Sequence, residues 1–227
     1  MWNRLQECEV ENFEVQVAGG PAAAAIEMAA RQGCDRVVMS PHGRTGAART
    51  MWGSIADEVV RDTNIPVLLV STRHQIREMA GCAPNFQRIL VPLDGSELSE
   101  QALPVAGALA QVEGAAVLLL NVVPQPVAVG AGRVTDNRDA KADRYLNRAA
   151  VCVLPNAVDF DTMETGGEAG QAIIRVAKEQ ECDLIVMSTH GRSGYSRMRL
   201  GSIADEVISH APVPVLLLHG QSQAEAN

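Results

Sequence analysis

Residues 186–218 read VMSTHGRSGYSRMRLGSIADEVISHAPVPVLLL, and Gly191, Gly194 and Gly201 punctuate the loop between an apolar run and a helical pattern. Glycines without side chains let a backbone approach an anion closely or take left-handed dihedrals. The helix that opens at Gly201-Ser202 would present free N–H groups, which with the helix field can receive phosphate oxygens. The Ser202 hydroxyl either points at such an anion or caps the helix; with Asp205 at the third helical position, Ser-Ile-Ala-Asp fits a capping box. His190 and Arg192 are the nearest side chains able to add to an anion site, and Arg197 and Arg199 lie on the same loop. The competing reading is that the glycines only shape a tight turn. Asp94, at the end of RILVPLD, is a second candidate. A carboxylate there can accept hydrogen bonds from ribose hydroxyls, or it can hold the following turn, DGSELSE.

Two well-known phosphate motifs are missing: no Gly-Lys-Ser or Gly-Lys-Thr occurs, and GRSG is not part of a Gly-x-Gly-x-x-Gly run. A Ser-His-Asp set assembled from Ser202, His190 and Asp205 has no base placed against the serine, and the Ser202–Asp205 spacing is already explained by capping. No residue is therefore assigned as catalytic and none as a metal ligand. Any Mg²⁺ is expected to arrive with a triphosphate.

The elements that must hold these residues alternate along the chain. RILVPLD (88–94) is an apolar strand, and SELSEQALPVAGALAQ a helix whose Pro104 must sit in the first turn or bend it. AAVLLLNVVP is a continuous apolar run, typical of a strand covered on both faces. RDAKADRYLNRAAVCVL is helical, VDFDTM alternates like a strand near the sheet edge, and GEAGQAIIRVAKEQE is the next helix. CDLIVMS, GSIADEVISHA and VPVLLLH complete the series as strand, helix and strand. Such alternation implies parallel βαβ units and a doubly wound sheet. Ligands of that architecture bind beyond the carboxyl ends of the strands, where strand order reverses.

The motif occurs twice. Residues 38–70, VMSPHGRTGAARTMWGSIADEVVRDTNIPVLLV, repeat residues 186–218 at an offset of 148: Ser40, Gly43, Gly53, Ser54 and Pro66 answer Ser188, Gly191, Gly201, Ser202 and Pro214. The first copy, FEVQV through PVLLV, lacks counterparts of the Pro-x-Asp strand, its helix and the long apolar strand. Residues 1–78 are accordingly expected to form an incomplete half-domain, 79–86 a linker and 87–220 a complete domain. Half a doubly wound unit leaves strand edges and apolar faces bare. It must pack on the second domain or on another chain, unless the natural chain is longer at its N-terminus.

Composition narrows the function classes. Of 227 residues 47% are apolar but only 3% aromatic, which suits buried strands covered by Ala-rich helices. The formal net charge of −8, with no basic run, argues against a nucleic-acid backbone as partner. Five scattered cysteines (8, 34, 82, 152 and 182) and a polar N-terminus read as free thiols in a reducing cytoplasm, and no apolar run is long enough to cross a membrane. Cys34 and Cys182, equivalent in the repeat, read as packing residues.

Together ILVPLDGSELSEQALPVA, VLLLNVV and CDLIVMSTHGRSGYSRMRLGSIADEVISHAPVPVLLL resemble the universal stress protein family, over about 86–219 as a complete domain and about 13–71 as the carboxyl-terminal half of another. The resemblance implies an adenine-nucleotide alpha-hydrolase-like fold with five parallel strands ordered 3-2-1-4-5, in dimers or tandem pairs whose last strands often pair across the interface. Nucleotide-binding members carry Gly-x2-Gly-x9-Gly-Ser/Thr. Here the later glycines are Gly191 and Gly201, followed by Ser202, while Ser188 replaces the first and its Cβ narrows the room beside the phosphates. The ribose contact falls on Asp94, and contacts around adenine fall near Pro92, Val122 and Met187, with Ile203 just past the phosphate-binding serine. The ligand so implied is ATP, with or without Mg²⁺, or else AMP or ADP; the partner implied is a second copy in a homodimer, besides an unidentified regulatory protein. The N-terminal copy lacks an equivalent of Asp94 and is expected to pack as a degenerate partner through its PVLLV strand. The function implied is regulatory nucleotide binding in a stress response. Its alternatives are a nucleotide-free member acting through protein contacts, and a slow ATPase or self-phosphorylating enzyme.

Overall fold

A computed structural model describes residues 22–41, 54–71, 86–123, 139–189 and 201–219. The first copy contributes α1 (Ala22–Arg31), β1 (Val37–Met39), α2 (Ser54–Asp62) and β2 (Val67–Leu69). The second contributes β3 (Arg88–Pro92), α3 (Glu97–Glu100), α4 (Ala102–Glu113), β4 (Ala116–Val123), α5 (Asp139–Val153), β5 (Phe160–Gly166), α6 (Ala169–Glu179), β6 (Leu184–Ser188), α7 (Ser202–His210) and β7 (Val215–Leu218). The helix expected over SELSEQALPVAGALAQ is divided at Gln101, so that Pro104 falls in the first turn of α4. There its missing N–H breaks no intrahelical bond. FEVQV, residues 79–85 of the expected linker and the glycine loops 42–53 and 190–200 lie outside the described residues.

The seven described strands form one sheet in the order β1-β2-β7-β6-β3-β4-β5. Every neighbouring pair is parallel except β2–β7. Within the second copy the order is the 3-2-1-4-5 that the resemblance implies, and strand order reverses at β3. The apolar runs of β3, β4, β6 and β7 are buried on both faces, because helices cover both. Leu90, Leu118, Leu120, Ile185, Met187, Val215 and Leu217 face a core shared with α6, α7 and α2. Ile89, Val91, Val117, Leu119, Leu184, Val186 and Leu216 face a second core under α4 and α5.

The antiparallel β2–β7 junction joins the two copies. Its register pairs Val67 with Leu217, Leu68 with Leu216 and Leu69 with Val215. The 148-residue repeat offset carries Leu68 onto Leu216, so two equivalent residues stand opposite each other at the centre of a pseudo-twofold, as in an isologous interface. The core on one side obeys the same relation. Ala56, Val59, Val60, Val67 and Leu69 and their equivalents Ala204, Val207, Ile208, Val215 and Leu217 are all buried in one cluster. The other face of β1–β2 has no described helix over it: Val38 is 62% exposed and Leu68 only half-buried. The expectation that Cys34 and Cys182 share a packing role fails here. Cys182 is buried ahead of β6, but Cys34 is exposed, and among the described residues β1 is covered on one face only.

Candidate functional site

The end of β3 is organised by a run of small polar side chains. Gly95 takes φ +83°, a left-handed conformation that suits glycine, and turns the chain directly after Asp94. The Ser96 N–H and hydroxyl both donate to Asp94 Oδ1, at 2.9 and 2.6 Å. Ser96 also caps α3, accepting from the Ser99 N–H at 3.1 Å, and the Ser99 hydroxyl donates to the Ser96 carbonyl at 2.9 Å. The Asp94 N–H in turn donates to Ser99 Oγ at 3.3 Å. Asp94 thus performs the turn-holding role that the sequence left open. A carboxylate has about four acceptor positions, so two bonds at one oxygen are compatible with further hydroxyl donors. From β4, Asn121 Nδ2 donates to the Leu93 carbonyl at 2.8 Å and fixes the same turn from the other side. Tyr145, on α5, has its hydroxyl pushed above the ordinary phenol range by burial and by the neighbouring Glu100 carboxylate, and remains neutral beside this turn.

The start of α7 differs from the expectation. Gly201 occupies the N-cap position (φ −61°, ψ 140°), and Ser202 is the first helical residue. Asp205 therefore lies one position too far along for a capping box, and its N–H instead makes the first helical bond, to the Gly201 carbonyl at 3.0 Å. Glycine has no side chain with which to cap, so the N–H groups of Ser202, Ile203 and Ala204 meet no acceptor among the described residues. The Gly201 N–H is held by the Thr189 carbonyl at 3.1 Å, and the Thr189 N–H by the Leu218 carbonyl at 2.9 Å. The helix start is thereby pinned to the ends of β6 and β7.

Between these two constructions lies a cavity of about 380 Å³ at the carboxyl ends of β3, β4 and β6, where strand order reverses. Of the residues predicted from sequence, Pro92, Asp94, Val122, Met187, Ser188, Gly201, Ser202 and Ile203 line it together. His190, Gly191 and Arg192 lie outside the described residues. Sequence reasoning missed Ser99, Asn121, Thr189 and Ile173, which line the same cavity. Asn121, a polar residue interrupting the apolar run of β4, was the one visible signal among them. The walls combine apolar side chains suited to a flat ring with hydroxyls, a carboxylate and helix N–H groups without an acceptor among the described residues, suited to a sugar and an anion. Ser188 Oγ, on a residue only 7% exposed, has no hydrogen-bond partner among the described residues. Those same residues include no group of three potential metal ligands and no helix long and apolar enough to cross a membrane.

The model of the universal stress protein family matches residues 3–71 and 85–219. A universal stress protein of Thermus aquaticus is 33% identical over 135 residues, covering 59% of this chain and 98% of that protein. One from Mycobacterium tuberculosis is 26% identical over 200 residues, covering 81% of this chain and 61% of its own length. Among solved structures, a universal stress protein from Archaeoglobus fulgidus superposes with a TM-score of 0.67 at 21% identity, over 98% of this chain and 75% of that one. With its two matched segments and its strand order, this chain belongs to the universal stress protein family.

Proposed function

We propose that the chain binds an adenine nucleotide in the cavity at the ends of β3, β4 and β6, with ATP as the first candidate and ADP or AMP as alternatives, and that it acts as a cytoplasmic regulator in a stress response rather than through a catalytic centre. One observation carries the reading. The same cavity is lined by Asp94, by the uncapped N-terminus of α7 and by the apolar side chains Leu120, Val122, Ile173 and Met187. Phosphate on the N–H groups of Ser202, Ile203 and Ala204, ribose at Asp94 and adenine against the apolar wall use each part of the lining once. The loop residues His190, Gly191 and Arg192 belong to the same proposed site. Mg²⁺, where it takes part, is held chiefly by phosphate oxygens and water.

The N-terminal copy stands in for a second protomer. Because β2 pairs with β7, the last-strand edge used by dimers of such domains is taken within the chain, and a homodimer requires another surface.

Calorimetry with ATP, ADP, AMP and GTP, with and without Mg²⁺, tests the reading. The expected result is about one adenine nucleotide per chain, abolished by Gly201→Val at unchanged circular dichroism. Equal affinity in that variant would falsify the phosphate cradle. Silence toward every nucleotide in the wild-type protein moves the function to protein contacts.

A further inference from the structure

We infer that Asn121 is a positioning residue for the proposed site: it holds the peptide that carries Asp94, and through that peptide sets the grip on the ribose, without touching the ligand itself. This role rests on the nucleotide reading proposed above and adds to it a side chain from the opposite face of the sheet.

The β3–β4 register runs to Pro92 opposite Leu120, and the Leu93 N–H then bonds to the Leu120 carbonyl at 2.7 Å. The next peptide, from Leu93 to Asp94, is held by side chains instead. Its carbonyl accepts from Asn121 Nδ2 at 2.8 Å, and its N–H donates to Ser99 Oγ at 3.3 Å. The C=O and N–H of a trans peptide point in opposite directions, so Asn121 and Ser99 clamp one plane from its two edges. That plane directs the Cα–Cβ bond of Asp94, and Ser96 then holds the carboxylate at Oδ1.

Asn121 is the one polar residue in β4, AVLLLNVV. Side chains alternate along a strand. Leu120 and Val122 face the core of α6 and α7, whereas Leu119 faces the core under α4 and α5. Asn121 therefore leaves the sheet on the side of Leu119, away from the apolar wall of the cavity, which is why it positions rather than contacts a ligand. An amide among apolar neighbours costs free energy unless it is hydrogen-bonded, and the Leu93 carbonyl supplies that bond. Ser96 and Ser99 hold the turn only to itself. Asn121 ties it to β4, the strand that brings Leu120 and Val122 to the cavity, so the sugar contact and the apolar wall keep one spacing.

The test compares the full wild-type chain with Asn121→Leu, which keeps the branched shape and removes the donor, in calorimetry with ATP and 2′,3′-dideoxy-ATP. The variant should weaken ATP about three- to tenfold, the range of one net hydrogen bond, and leave the dideoxy compound within about 1.5-fold. In an Asp94→Ala background, Asn121→Leu should cost ATP nothing further, because its effect passes through Asp94. Ser99→Ala opens the other edge of the same peptide and serves as the second variant should Asn121→Leu fail to fold. Its loss should be equally selective for the ribose hydroxyls and smaller, since its bond is the longer one. Equal losses for both compounds would show a general structural role and overturn the inference. Unchanged ATP affinity in both variants would overturn it too, as would a loss that adds to that of Asp94→Ala. Wild-type protein that binds both compounds equally removes the ribose from Asp94, and this role with it, while a nucleotide site remains. Binding of neither removes the nucleotide reading as well.

Discussion

Leu69 and Leu217 are related by the repeat offset, each is 1% exposed, and both belong to the core cluster that spans the β2–β7 junction. That placement predicts how the two copies unfold. Truncating a buried leucine to alanine costs about 2–5 kcal/mol, the spread reflecting how far the surroundings collapse into the cavity. Taking about 3 kcal/mol, and about 2–4 °C per kcal/mol for a chain of this size, Leu69→Ala should lower the melting temperature by about 6–12 °C. Leu217→Ala should lower it by a similar amount. The important point is which transition moves. A core shared by α2, β2, α7 and β7 makes the junction part of one cooperative unit, so both variants should shift a single calorimetric transition whose van't Hoff and calorimetric enthalpies agree. Leu68→Ala supplies the internal control. Its side chain is half-buried on the face that no described helix covers, and the loss should be clearly smaller. Two resolved transitions, with Leu69→Ala moving only the lesser and leaving the other at the wild-type temperature, would refute the shared-core reasoning.

Asp94→Ala should weaken ATP and adenosine alike, by about tenfold for lost hydrogen bonds to a charged group, and should also loosen the Ser96 turn. Unchanged adenosine affinity in calorimetry would remove Asp94 from the ribose. Thiol chemistry should divide by burial. Cys34 and Cys152 are exposed and should react with iodoacetamide at pH 8, whereas Cys182, whose thiol burial pushes up to about 11, should be modified only on unfolding. Because the folded value lies above the ordinary one, Cys182 favours the folded state up to about pH 9, and that contribution fades as pH rises toward 11. Peptide mapping of native protein labelled at pH 8 checks the first point, and denaturant midpoints between pH 8 and 11 for wild type and Cys182→Ala check the second.

Much of this was legible because parallel strands covered on both faces write themselves as unbroken apolar runs. ILV, VLLL and LIVM became the centres of β3, β4 and β6, and the family resemblance, rather than the repeat itself, implied packing through PVLLV, which is the β2–β7 junction. The helix cap was misread for a local reason: glycine and serine are both accepted at N-caps, and Gly201-Ser202 offers them in succession. Geometry chose the glycine, which has no side chain with which to cap the helix N–H groups. Asn121 and Ser99 were missed because their partners, Leu93 and the Asp94 and Ser96 backbone, are set by how strand ends meet in space, which spacing along the chain does not encode. Cys34 defied its repeat equivalence because exposure depends on what covers a strand, and the copies are covered differently.

The β2–β7 pairing also bears on synthesis. Leu68 and the residue it meets, Leu216, are separated by 148 positions of chain, and at about 5–20 residues per second the ribosome needs roughly 7–30 s to bridge them. Throughout that interval Val67 and Leu69 have been made while Val215 and Leu217 have not, so a strand destined for the sheet interior waits as an open edge. The first copy is translated before the second, yet the pairing of both is completed by the same last strand, β7.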